Sequence, residues 1–142
     1  MSRRSVVLGF VGAAASVAAL LGMSGIAVAL TSTTTTLTQH HAGQRPATLQ
    51  IAGILKPAPA AAGEHMVVKY YKKNADGTWT KVDTERPGLS AANSQQTAAF
   101  GTTLYNSPTT GKCKIVAKYP GDDTYAASKA VARVLCRTGQ SV

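Results

Sequence analysis

Acidic residues are scarce in this sequence. Only 6 of its 142 residues are Asp or Glu, against 15 Lys and Arg, and all charged residues together make up 15%. Glu64, Asp83 and Glu85 are scattered, with no spacing that argues for the paired carboxylates of a glycosidase. Asp122 and Asp123 stand together, but calcium needs six or more oxygen ligands and no other acidic cluster completes the set. Histidine is sparser still. His40, His41 and His65 belong to no nucleophile motif, and Ser90 and Ser94 lack a G-x-S-x-G elbow. His40-His41 could contribute to a metal site, but strand neighbours point to opposite faces, and a flexible segment between strands is their expected home. The two cysteines have no neighbouring His and cannot build a four-ligand zinc site. No nucleic-acid motif occurs either. The expectation is a protein without catalytic residues, metal or cofactor, and not one directed at nucleic acid.

The apolar residues are concentrated at the N-terminus. Met1–Arg4 carries Arg3 and Arg4, Ser5–Leu30 carries no charge, and Ala27-Val28-Ala29 supplies the small-x-small pattern that signal peptidase accepts. Residues 1–29 are therefore expected to be a signal peptide cleaved after Ala29. An uncharged run of this length could instead stay as a membrane anchor, but its Gly, Ala and Ser content and the lack of a basic stop-transfer cluster favour removal. Ser2-Arg3-Arg4-Ser5-Val6-Val7 is similar to a twin-arginine signal without its Phe and Lys, so Sec and twin-arginine export both remain open. The mature chain has 113 residues with 13 Lys and Arg against 6 Asp and Glu, a net charge of +7, and no transmembrane segment. An exported chain is secreted or associated with the cell envelope. In such an oxidising compartment Cys113 and Cys136 are expected to pair, a bridge that stabilises by about 3 kcal/mol for a loop of this length.

After Leu30 no helical periodicity appears. Short β-type runs recur between Gly, Pro, Asn and Asp, at the spacing of an all-β sandwich. Residues 30–46 form a Thr-rich segment whose β-branched part, Thr33–Thr38, is the first edge strand. Ala47–Leu55 alternates Leu49, Ile51 and Gly53 against Thr48, Gln50 and Ala52, and the proline-rich Lys56–Gly63 is extended coil. Glu64–Lys73 and Thr78–Thr84 flank an Asn74-Ala75-Asp76-Gly77 hairpin turn, closed by a positive φ at Gly77. Gln96–Tyr105, Lys112–Tyr119 and Lys129–Cys136 complete the strands. In the last two, period-two alternation puts Cys113, Ile115, Ala117 and Tyr119 on one face, and Ala130, Ala132, Val134 and Cys136 on the other strand's matching face. Placing Tyr119 opposite Ala130 brings Cys113 opposite Cys136, a cross-strand bridge.

Tyr119-Pro120-Gly121-Asp122-Asp123-Thr124-Tyr125-Ala126-Ala127-Ser128 resembles the Tyr-x-Gly-Asp-x-x-Tyr-x-x-Ser signature near the end of bacterial immunoglobulin-like domains. The layout upstream is similar too, with Asp76-Gly77-Thr78-Trp79 following a Pro-and-Gly loop and strand. The resemblance spans residues 33–137. It implies an immunoglobulin-like antiparallel β-sandwich of about seven strands after the signal peptide, acting as a spacer, adhesive unit or ligand-binding unit. Modules of that family usually occur in repeats or beside a larger domain, and this chain holds one copy. In the loop itself, Asp122 or Asp123 can accept backbone N–H groups to hold the turn, and Tyr125 folds back as an apolar plug.

An immunoglobulin-like sandwich also places the Glu64–Lys73 strand beside the Lys112–Tyr119 strand. Their outward phases, with the last strand, gather Lys69, Tyr71, Lys73, Lys112, Lys114, Lys118 and Arg133 on one sheet face. Such a face suits an anionic cell-wall polymer, a lipid surface or an acidic protein, although solvent-facing strand positions carry Lys for solubility alone in many proteins. The lone Trp79 is expected to cover one end of the core, with an exposed binding anchor as the alternative. The sequence thus points to a small exported binding or adhesion module. A secreted hydrolase inhibitor, presenting Arg86–Asn93 or Thr103–Gly111 as its exposed loop, is the second reading.

Overall fold

A computed structural model describes residues 29–42, 48–105 and 107–142. All of the expected signal peptide except Ala29 lies outside the described residues. Seven strands form two antiparallel sheets with no helix among the described residues. One sheet has the order β1 (Thr34–Ala42), β2 (Leu49–Lys56), β5 (Ala98–Leu104); the other has the order β4 (Trp79–Glu85), β3 (Val67–Lys73), β6 (Lys112–Tyr119), β7 (Ser128–Leu135). The all-β sandwich follows, and its arrangement is compatible with an immunoglobulin-like fold. It departs from the constant-type domain in one respect: β4 pairs with β3 instead of joining the sheet of the first, second and fifth strands.

The strands form where β-branched and aromatic residues alternate with polar ones, and the inward residues of both sheets meet as one core. Leu49, Ile51, Leu55, Phe100 and Leu104 come from the first sheet. Val68, Tyr70, Cys113, Ile115, Ala117, Tyr119 and Val134 come from the second. Each large aliphatic so buried contributes about 1.5–3 kcal/mol. Loops complete the core: Ala58 from the extended coil, Met66 from the approach to β3, and Leu89 from the crossover between β4 and β5.

The crossover is held at both ends. Met66 N–H donates to Pro87 O at 2.9 Å and Leu89 N–H to Glu64 O at 2.7 Å, so Glu64–Met66 pairs with the crossover and not with β4. That is why β3 begins at Val67 and not at the expected Glu64. The hairpin turn forms at the expected place, with Gly77 at φ 87° and Asp76 Oδ1 accepting the Thr78 N–H at 2.9 Å.

Two expectations need correction. His40 and His41 lie inside β1, opposite Ile51 and Gln50, because a bulge at Thr38 lets the strand continue past Leu37. The β6–β7 register is displaced by two residues: Tyr119 stands opposite Ser128, and Cys113 opposite Val134. A displacement of two preserves the faces of both strands, so every inward residue stays inward. Cys136 then falls just beyond β7, where its N–H donates to Gly111 O at 3.0 Å. The disulfide to Cys113 closes diagonally within the sheet, over a Cα–Cα distance of 4.9 Å.

Residues outside the strands seal the side where β1 approaches β7. Thr31 forms a parallel bridge with Tyr125, and Thr33 Oγ1 donates to Ala126 O at 2.8 Å. Beyond β7 the chain turns back, and Gln140–Val142 runs antiparallel beside it, with Leu135 N–H donating to Gln140 O at 2.9 Å.

Candidate binding face

The ladders of the four-stranded sheet set the rows of its outer face. Tyr71, Lys114 and Arg133 share one row. Lys69, Val116 and Val131 share the next, and Val67, Lys118 and Lys129 the one after. At the other end Lys112 stands opposite Leu135, and Lys73 opposite Trp79. The structure therefore brings Lys69, Tyr71, Lys73, Lys112, Lys114, Lys118 and Arg133 onto one surface. Lys81, opposite Tyr71, and Lys129 extend it. Lys129 shares the period-two phase of Arg133, which marks it as outward in the sequence, whereas Lys81 shares the phase of Trp79 and carries no such mark.

No carboxylate occupies an outward position in these rows. On β4, Asp83 and Glu85 stand opposite Tyr70 and Val68, on the inward phase at the sheet edge. The other acidic residues, Glu64, Asp76, Asp122 and Asp123, lie in loops. Directly opposed strand side chains sit about 5 Å apart, where like charges repel. An approaching anion would relieve that repulsion.

The opposite face of the sandwich is different in kind. Its outward rows are Thr36, Ile54 and Ala99, then Gln39, Ala52 and Gly101, then His41, Gln50 and Thr103. Lys56 is the one Lys or Arg among the outward positions of that sheet. The outward-facing strand cations are thus gathered almost entirely on one side.

Trp79 is not in the core. It lies half-buried on the basic face, because β4 starts there on the outward phase, opposite Lys73. The β4 residue that packs against the core is instead the half-buried Val82, which the bulge opposite Tyr70 and Tyr71 leaves outside the ladder. The Lys114 ammonium lies 4.6 Å from the centroid of the Trp79 ring and 4.8 Å from that of Tyr71. Lys73 reaches the same indole at 5.9 Å. Such contacts are worth about 0.5–1 kcal/mol each at exposed sites and hold the cations in place. Beside the indole, Lys73, Trp79, Lys112, Arg133 and Val142 line a pocket.

Elsewhere the geometry is structural. Among the described residues no group of three His, Cys, Asp or Glu comes together to hold a metal. His40 Nδ1 bonds Gly139 O, and His41 Nδ1 pairs with Gln39 Nε2 at 2.8 Å. In the Tyr119–Ser128 loop, Asp122 Oδ1 accepts the N–H groups of Thr124 and Tyr125 at 2.7 and 2.6 Å. These bonds, the Tyr125 N–H foremost, hold the Asp122 carboxyl below its ordinary value, while Tyr125 packs against the core. Of the two loops proposed for an inhibitor, Arg86–Asn93 buries Leu89 and is pinned by Ser90 N–H to Ala99 O at 2.9 Å. In Thr103–Gly111, Leu104 and Ser107 are buried, and Ser107 Oγ donates to Cys136 O at 3.1 Å. Among the described residues no helix is long and apolar enough to cross a membrane.

No protein-family model matches the chain, and no curated protein matches it.

Proposed function

We propose that this protein is a small exported, non-enzymatic module of the immunoglobulin-like kind, which binds or adheres at the cell envelope or outside the cell through the basic face of its four-stranded sheet. The observation that carries this reading is the segregation of charge. Lys69, Lys73, Lys81, Lys112, Lys114, Lys118, Lys129 and Arg133 share one face without an intervening carboxylate, while the outward rows of the other sheet are nearly uncharged. Solubility alone requires charge, but it is served as well by interspersed signs on both faces. A one-signed face on a rigid sheet concentrates potential and draws in polyanions. The N-terminal charge and small-x-small pattern, and the disulfide, support an extracellular place of work.

The test is retention on cell-envelope fractions at low and high salt, for the protein and for a variant with Lys112, Lys114 and Lys118 changed to Glu. Retention at low salt that falls at high salt and is absent in the variant supports the reading. Retention indifferent to both salt and charge reversal refutes it, because exposed charge pairing is screened beyond about 10 Å at 0.1 M salt.

A further inference from the structure

The basic face is not uniform, and the pocket at its Trp79 end has a different chemistry from the rest. Along the Val116 and Lys118 rows, lysines alternate with valines and present only charge and aliphatic surface. At the Trp79 end, three cations (Lys73, Lys112 and Arg133) line a hollow with an indole wall. A simple polyanion needs the cations and gains nothing from the indole. A ligand with a flat, C–H-rich ring and an anionic substituent uses both, stacking on the aromatic surface while its charge reaches the cations.

We infer that this pocket binds an acidic sugar unit of a glycan, with the sugar ring against Trp79 and its carboxylate or phosphate between Lys73, Lys112 and Arg133. The inference rests on the reading of the basic face as the working surface. The pocket takes one unit while the remaining rows follow the charges of the chain. The cation–π contacts of Lys114 with Tyr71 and Trp79 brace the indole before any ligand arrives, which lowers the ordering cost of binding. A bilayer is the poorer fit. The indole lies half-buried among strand side chains with an ammonium against it, whereas a side chain that inserts into lipid belongs to an apolar surface sunk below the headgroups.

Trp79 is the only tryptophan in the sequence, so its fluorescence reports on this pocket alone. The protein is titrated with oligogalacturonate, with the same oligomer methyl-esterified to remove its charge, with polyphosphate of equal charge, and with phosphatidylglycerol vesicles. Affinity is read independently by calorimetry. The inference expects a saturable change in Trp79 emission with oligogalacturonate and none with the esterified form. It also expects roughly tenfold weaker binding in Trp79→Leu, the scale of one aromatic ring contact. Arg133→Gln, which leaves the indole in place, weakens binding while the emission change at saturation persists. Equal affinity for polyphosphate, unaltered by Trp79→Leu, overturns the sugar pocket and leaves the basic face standing. Binding to vesicles but not to oligogalacturonate overturns it in favour of a lipid surface. No binding to any of these anions overturns both the pocket and the basic-face reading.

Discussion

Tyr119 donates its hydroxyl to Asp122 Oδ2 at 3.1 Å, across a turn of only three residues. The other oxygen of the same carboxylate accepts the N–H groups of Thr124 and Tyr125, and Asp122 N–H donates to Tyr125 O at 2.9 Å. One side chain thus joins the last core residue of β6 to the loop that delivers Tyr125 to the core and Thr124 to the Thr31 bridge. Asp122→Ala removes these acceptors together and is expected to cost about 1–2 kcal/mol, the worth of a capping side chain. Urea denaturation at neutral pH measures it, and Asp123→Ala, whose side chain makes no such bonds, is the control.

Acid weakens the same turn. Hydrogen bonds, that from Tyr125 first, depress the folded pKa of the Asp122 carboxyl. Its contribution is therefore complete above the ordinary Asp value and is lost as pH falls through the folded value. Thermal midpoints followed downward from neutral pH will fall for the wild type, and the Asp122→Asn variant will show the shallower dependence in that window.

Alkali acts on the two buried tyrosines. Burial first, and then the Asp122 carboxylate, pushes the Tyr119 hydroxyl well above the usual tyrosine value. Burial raises Tyr70 as well, its hydroxyl lying 3.0 Å from Ser107 Oγ. A raised folded pKa means that the stabilisation is fully present below the unfolded value, near 10, and disappears as pH rises through the folded one. Tyrosinate absorbance will show Tyr70 and Tyr119, out of five tyrosines, ionising only together with unfolding.

The disulfide closes a segment with a sequence separation of 23. Replacing both cysteines by Ala is expected to destabilise by about 3 kcal/mol, chiefly through the freedom restored to the unfolded chain. Because β6 and β7 stay paired by their own ladder, the double variant still folds, with a lower denaturation midpoint and no change of sheet content by circular dichroism.

Gly53 occupies an inward position of β2 where a larger residue does not fit. A Cβ built there would lie 2.3 Å from Phe100 Cζ and 2.5 Å from Thr36 O, so the phenyl ring packs directly on the glycine backbone. Gly53→Ala must displace both the ring and the neighbouring strand, for a cost of about 1–3 kcal/mol. Gly101→Ala, the next β5 residue after Phe100, has its nearest neighbour at 3.6 Å and serves as the tolerant comparison in the same denaturation series.

Much of this architecture was legible because strand faces obey a local rule. Period two assigned Cys113, Ile115, Ala117 and Tyr119 inward, and Lys112, Lys114 and Lys118 outward, without reference to any partner. The same rule carries the β3 face and the outward place of Arg133. Ladder register is not local. It depends on how the Pro120–Ser128 loop closes, and the Asp122 turn closes it with Tyr119 opposite Ser128 and not Ala130. The outward place of Trp79 is hidden from the local pattern for a related reason. A β-bulge between Tyr70 and Tyr71 resets the phase of β4 against β3, and nothing within Thr78–Thr84 announces it.

Local sequence was enough for the all-β character, the identity of the turns, the phases of β3, β6 and β7, and the pairing of the two cysteines. These follow from alternation, from Gly, Pro, Asn and Asp at the turns, and from there being only one way to join two thiols. The fold alone decided that β4 joins β3 instead of the other sheet, that Leu89 and Met66 seal the core, and that Lys81 and Trp79 complete the basic face. Those outcomes depend on which edges the two sheets leave open to one another. They are reached only when distant segments compete to bury the same apolar surface.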